Sequence, residues 1–373
     1  MAVAPAGRPP RRRFAAWGVV SALLALVVVA PLVALPASFV GGEDLFDPIA
    51  RTILPEALAN SLFIGVGVGL GTLLVGGGLA LLVTFWDFPG RRWLEWALVL
   101  PMALPSYVLV FVVLGQYGRS SPFQSNLFGD GLQLDAIRSR GGAVLVLTAV
   151  LYPYVYVLGR SAFLGQSRQT LEAARSLGRT HGQAVRQVAV RQARPALAAG
   201  VALVVMEALA DFGTVDLLGV QALTSGIYRV WNGAGDEEAA LQLATVLVGL
   251  AITMLTIERV FRGRARYHQT LSRGDAVVPV ALRGAGRWLA TGACTVLLAM
   301  VFAIPVAQLV AWSIEAIGDG TYGTELWTAA RNTVVLGLIT ATVAVVTSTV
   351  MVFGQRAHPV SYTHLTLPTI YSV

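Results

Sequence analysis

A chain of 373 residues with 55% hydrophobic residues, 13% charged residues and a mean hydropathy of +0.69 does not have the composition of a soluble globular domain. The net charge of +7 rests on 27 basic residues, all arginine, which cluster at the ends of apolar runs; membrane topology accounts for that placement and argues against a nucleic-acid partner. A lone cysteine, Cys294, excludes an intrachain disulfide framework and a cysteine-based metal site.

In chain order, Arg8 and Arg11–Arg13 precede the apolar run Phe14–Ala37. The start resembles a signal peptide, with Ala34-Leu35-Pro36-Ala37 like a cleavage site. The run is longer than a signal core, however, and more runs follow, so an uncleaved first helix is expected. The further runs are Leu58–Phe85, Trp93–Gln116, Gly141–Leu164, Ala196–Leu218, Ala239–Ile257, Trp288–Trp312 and Ala329–Phe353. Each can cross a hydrocarbon core of ~30 Å at ~1.5 Å per residue. The fold class is therefore all-α, a polytopic transmembrane helix bundle of about eight helices. In the second run, Gly65/Gly69 and Gly67/Gly71 form small-xxx-small pairs, which allow close backbone approach between helices. No strand precedes these glycines and no lysine follows, so they are not a phosphate loop.

Arginine placement sets the expected orientation. With the N-terminus cytoplasmic, the inner segments hold most of the arginines and the outer loops hold acids such as Glu43, Asp44, Asp130, Glu237 and Glu238. The histidines, His181, His268, His358 and His364, fall in inner loops or the tail, and none pairs with another at metal-ligand spacing. With no nucleotide-binding loop and no catalytic cluster, the chain is not expected to be an enzyme or to hold a metal or cofactor.

Two stretches carry functional expectations. The first is the polar, arginine-rich segment Glu172–Pro195 between two apolar runs, with Leu177, Ala184, Val185 and Val188 at helical spacings. It reads either as a solvated connector or as a short helix on the inner membrane face, broken at Gly178. The second is a set of acids. Glu207 lies about eleven residues into its run, ~16 Å at helical rise, and Asp211 is expected on the same helix face. Acids at that depth face a bundle interior or a water-filled path. Glu207 then either lines a cation pathway or makes a helix-packing hydrogen bond, while Asp216 reads as interfacial.

Glu172-Ala173-Ala174, followed by Gly178, resembles the EAA loop of ABC-importer permeases. Val188 and Val190 continue that pattern, with Arg191 standing where the family has proline and Pro195 four residues later. The segment Met206–Trp231 is similar to permeases of ferric-iron importers, in which two permease halves are fused. The resemblance implies a type I ABC importer permease fold in a bacterial inner membrane. It implies a cytoplasmic ABC ATPase dimer that binds ATP and magnesium and docks on Glu172, Ala173, Ala174, Gly178 and Pro195. It also implies a periplasmic or lipid-anchored solute-binding protein, and iron(III) as substrate; a hard cation prefers oxygen ligands, which Glu207, Asp211, Tyr152, Tyr154 and Tyr156 could offer. Fused thiamine and phosphonate permeases are related alternatives. A proton-coupled secondary transporter titrating Glu207 is the alternative from another class.

Ala59-Asn60-Ser61-Leu62 and Arg331-Asn332-Thr333-Val334 open the second and eighth runs in matching topology. The expected organisation is a first six-helix half over 1–265, with its coupling loop at 165–195, and the start of a second half over 266–357. The tail 358–373 is uncharged except for its histidines and differs in composition from the preceding chain. It resembles translated adapter read-through, so the native chain is expected to continue differently beyond about Gln355.

Overall fold

The computed structural model describes residues 22–24, 26–27, 29–33, 35–39, 46–117, 137–262, 277–319 and 323–357. Apolar runs in a hydrocarbon layer must satisfy their backbone groups internally, and the described residues do so almost entirely as helix. Among the described residues, six helices are long and apolar enough to cross a membrane, or seven if one bent pair is counted as a span. The first expected run, Phe14–Ala37, lies partly outside the described residues, as do His268, His358, His364 and the tail.

Backbone contacts divide the chain into two compact units, Ser38–Ile314 and a smaller one formed by Met1–Ala37 with Glu315–Val373. In the larger unit, α1 (Pro48–Phe85) starts at Asp47, whose side chain accepts from the Ile49 N–H, with proline at the first helical position. It extends ten residues further toward the N-terminus than hydropathy predicts, through Pro55. A π turn, Leu73–Gly77, interrupts it at the glycine run. β1 (Trp86–Asp87) follows.

The third expected run is not one straight helix. α2 (Arg91–Ala97) and a 3₁₀ turn (Leu100–Ala103) lead into α3 (Ser106–Tyr117), and the pair is bent by 88°. Pro101 and Pro105 lie at the bend, where neither can continue an α-helix. α4 (Arg140–Leu164) is the central helix and packs on α1, on α3 and on α6 (His181–Ala210). Between α4 and α6 lies α5 (Arg168–Ser176).

The glycines of α1 explain this packing. A Cβ on Gly67 would lie 2.8 Å from Val144 of α4, and one on Gly76 would lie 2.4 Å from the Tyr152 carbonyl oxygen. Gly65 and Gly69 face the other neighbour, with Val205 of α6 at 3.5 and 3.0 Å from their would-be Cβ atoms. The two small-xxx-small pairs thus serve two different helices, which is the close approach their spacing predicts.

After α6 come α7 (Gly213–Leu217), α8 (Leu223–Tyr228) and α9 (Glu237–Arg262). β2 (Val280–Ala281) pairs in parallel with β1, and α10 (Ala285–Gly318) packs its first part on α2. In the smaller unit, α11 (Thr324–Ala357) is a long apolar helix whose spanning window is entirely unburied. The expected division between residues 265 and 266 falls outside the described residues.

Candidate functional site

The arginine-rich stretch forms a helix–turn–helix corner. Ser167 caps α5 by accepting from the Gln169 N–H. The helix ends as a Schellman motif: the Gly178 N–H donates to the Arg175 carbonyl at 2.9 Å and the Arg179 N–H to the Ala174 carbonyl at 3.3 Å. That geometry needs a left-handed residue, and Gly178 supplies it with φ of +84°. Thr180 and Gln183 then form a capping box that starts α6.

The resulting surface is specific in composition. Leu171 and Ala174 turn inward, while Glu172, Ala173, Arg175 and Leu177 face outward, Leu177 with 85% of its surface exposed. Glu172 pairs with Arg168 at 2.6 Å across one helical turn. Both side chains are about half exposed, so the pair contributes only ~0.3–0.5 kcal/mol and leaves Glu172 exchangeable.

The corner is braced from behind. His181 is the first residue of α6, not a loop residue; its Nε2 lies 3.3 Å from the Phe85 carbonyl oxygen, and its ring packs edge-on against Trp86. The buried Gln166 side chain donates to the Ala189 carbonyl at 2.9 Å, inside a π turn (Val185–Ala189) that would otherwise leave backbone acceptors unpaired. Pro195, expected at the exit of the loop, lies inside α6, as does Arg191. Within the polar stretch only Leu177–Thr180 is non-helical: its start belongs to α5 and its second half is the first part of a long helix.

The acids separate more sharply than their spacing predicts. Asp211 does not share a helix face with Glu207, because α6 ends at Ala210 and Asp211 is extended. Its carboxylate accepts from the Thr214 N–H at 2.8 Å, from the Thr214 hydroxyl at 3.2 Å and from the Ser106 hydroxyl. Its carbonyl accepts from the Thr224 hydroxyl at 2.8 Å. Asp211 therefore joins the end of α6 to the starts of α3, α7 and α8, and its oxygens are already occupied.

Glu207 lies in the last turn of α6, nearer the helix end than the run boundaries predict. It is exposed, has no hydrogen bond or ion pair among the described residues, and lies within electrostatic reach of Tyr154. Asp216 is exposed on α7. Of the three tyrosines, Tyr152 and Tyr156 are buried and donate to the Leu98 and Glu95 carbonyls, at 2.9 and 2.6 Å. They hold the bent α2–α3 segment against α4, which leaves Tyr154 as the remaining candidate oxygen donor. Hydropathy averages over this junction; its signal in the sequence is Asp211-Phe212-Gly213 inside an apolar run.

Comparison with known proteins places this architecture. Over 80% of its length the chain is 24% identical to the Fe(3+)-transport system permease protein FbpB 2 of Haemophilus influenzae, and the match spans 58% of that protein. Over 56% of its length it is 29% identical to a probable molybdenum ABC transporter permease protein of Haloferax volcanii, covering 76% of it. The fold is shared with a chain of a bacterial ABC transporter involved in alginate import, at a TM-score of 0.53 and 14% identity, over 67% of this chain and 96% of that one. Residues 72–267, which include α5, the Schellman corner and the Asp211 junction, match the family described as binding-protein-dependent transport system inner membrane component, and the chain belongs to that family.

Proposed function

We propose that this chain is the membrane-spanning permease part of an ATP-driven importer whose cytoplasmic ATPase dimer grips α5 and the corner at Gly178. The observation that carries this reading is an outward-facing Leu177 beside an exchangeable Glu172 on a corner braced by His181 and Gln166. Burying Leu177 in a partner groove would contribute ~1.5–3 kcal/mol, about tenfold or more in affinity. The ATPase binds ATP and magnesium, and a periplasmic or lipid-anchored binding protein delivers substrate from the other side. The N-terminus is cytoplasmic in this reading, and 266–357 begins a second permease half.

Crosslinking tests the docking. Cys294 is the only cysteine and is buried, so a cysteine introduced by Leu177→Cys would be the accessible thiol. It should capture an ATP-hydrolysing subunit in membranes where uptake runs. Failure to capture one while uptake continues would overturn the reading.

For the substrate we propose iron(III). Relatives named for iron and for molybdenum are both similar to this chain, so similarity alone does not choose between them. The exposed Glu207 favours a cation, because an unpaired carboxylate with a nearby phenol attracts a hard cation and repels an oxyanion. Glu207→Gln should lower iron uptake while ATPase capture at position 177 persists. Molybdate uptake unaffected by that change, with no iron uptake in wild type, would refute the substrate. Uptake that survives ATP depletion and collapses with the proton gradient would instead identify a proton-coupled transporter.

A further inference from the structure

We infer that the end of the bundle nearest α5 carries a binding surface for the phosphodiester headgroup of an anionic phospholipid, built jointly by α2 and the start of α10.

Three observations bring the surface together. The parallel pairing of Trp86–Asp87 with Val280–Ala281, extended by a Leu282 N–H to Asp87 carbonyl bond of 2.9 Å, fixes the segment before α10 against the turn before α2. The Thr291 hydroxyl donates to the Pro89 carbonyl at 2.8 Å, which holds the first turns of α10 beside that same turn. His181 and its contacts with Phe85 and Trp86 show that this is the α5 end of the bundle.

The residues gathered there have the chemistry of a lipid headgroup layer. Trp93, Trp96 and Trp288 are each more than half exposed. Trp93 and Trp96 pack edge to face at 5.8 Å, and the Arg287 guanidinium lies 5.4 Å from the centre of the Trp288 ring. Indole rings of this kind favour the boundary between hydrocarbon and water. Arg92 adjoins Trp93 in sequence, Arg287 adjoins Trp288 and Arg283 lies just before α10; all three are exposed, with no ion pair to an acid among the described residues. The neighbouring acids are already engaged: Asp87 pairs with Arg91, and Glu95 pairs with Arg91 and Arg160. Three guanidiniums without an acidic partner and three exposed indoles are complementary to an anionic headgroup whose acyl chains run up the apolar faces of α2 and α10. A zwitterionic headgroup carries its own cation and gains much less. The surface bridges residues on either side of 263–276, so a lipid bound there would pin the start of α10 to the first helices.

The test uses the purified full chain in micelles titrated with phosphatidylglycerol or phosphatidylcholine carrying brominated acyl chains, which quench nearby tryptophans. Wild type should show a saturable component specific to phosphatidylglycerol. Replacing Trp93, Trp96 and Trp288 together by phenylalanine should remove that component. R92Q/R283Q/R287Q should weaken phosphatidylglycerol binding by on the order of a hundredfold, about fivefold per arginine, whereas R92K/R283K/R287K should largely keep it. Arg259→Gln, an exposed arginine at the end of α9, should change nothing. If the triple glutamine variant fails to fold, single Arg92→Gln and Arg287→Gln titrations give the same reading. Equal quenching by the two lipids, a specific component that persists in the phenylalanine variant, or displacement of phosphatidylglycerol by millimolar inorganic phosphate would overturn the proposal. The readout needs neither an ATPase nor a substrate, so it fails or succeeds independently of the transport reading.

Discussion

α1 and α11 contain the same short motif in two different environments. In α1 the Asn60 amide donates to the Gln221 carbonyl at 2.9 Å, and the Ser61 hydroxyl, buried, accepts from the Leu223 N–H at 2.9 Å. In α11 the corresponding Asn332 and Thr333 are exposed, and Thr333 bonds back to the Ala329 carbonyl of its own helix. Both segments are helical because hydropathy and backbone satisfaction suffice for that. The tertiary role of the motif depends on what meets it. In α1 it receives the turn between α7 and α8 and so anchors the segment that contains the Asp211 junction.

Glycine substitutions should separate the two environments most strongly. Gly76→Ala places a Cβ 2.4 Å from the Tyr152 carbonyl oxygen, so α1 and α4 must move apart, at a cost of ~1–3 kcal/mol or more. Gly337→Ala in α11 meets nothing within 4 Å and gains helix propensity of up to ~1 kcal/mol. Thermal unfolding in detergent should therefore shift in opposite directions for the same chemical change, and a shared direction would break the comparison. Next in size, Asp211→Ala removes three acceptor contacts at the junction and should cost ~2 kcal/mol, with Asp211→Asn recovering part of it. Hydrogen exchange should then rise in α7 and α8 before it rises in α4. Ser61→Ala should cost about 1 kcal/mol by leaving the buried Leu223 N–H unpaired, whereas Thr333→Val should stay within ~0.5 kcal/mol of wild type. If the two changes proved equal, the motif in α1 would not be serving as an anchor.

The parts of this fold that hydropathy can report were legible in the sequence. The run boundaries from Gly141 to Leu164 and from Trp288 to Trp312 lie within the observed helices, and the glycine pairs of α1 predict its close contacts. The breaks were not legible, because an apolar window averages across them. Trp93–Gln116 contains Pro101 and Pro105 and bends by 88°, and Ala196–Leu218 contains Asp211 and stops there as a helix. Both breaks are set by one or two residues: two prolines that cannot donate, and a carboxylate that caps the next helix instead of extending the last. In the corner, Gly178 was legible as a turn because few residues tolerate its φ. The start of α6 at His181 was not, since a polar stretch can as well be the end of a helix as a loop.

From His181 to Ala210 the chain is one continuous helix, ~45 Å long at 1.5 Å per residue, with its π turn bonded from outside by Gln166. No loop interrupts it between the corner and its far end. Its far end is Asp211, the extended residue to which α3, α7 and α8 are all fastened, so under the proposed docking a displacement of the corner would be delivered to that joint.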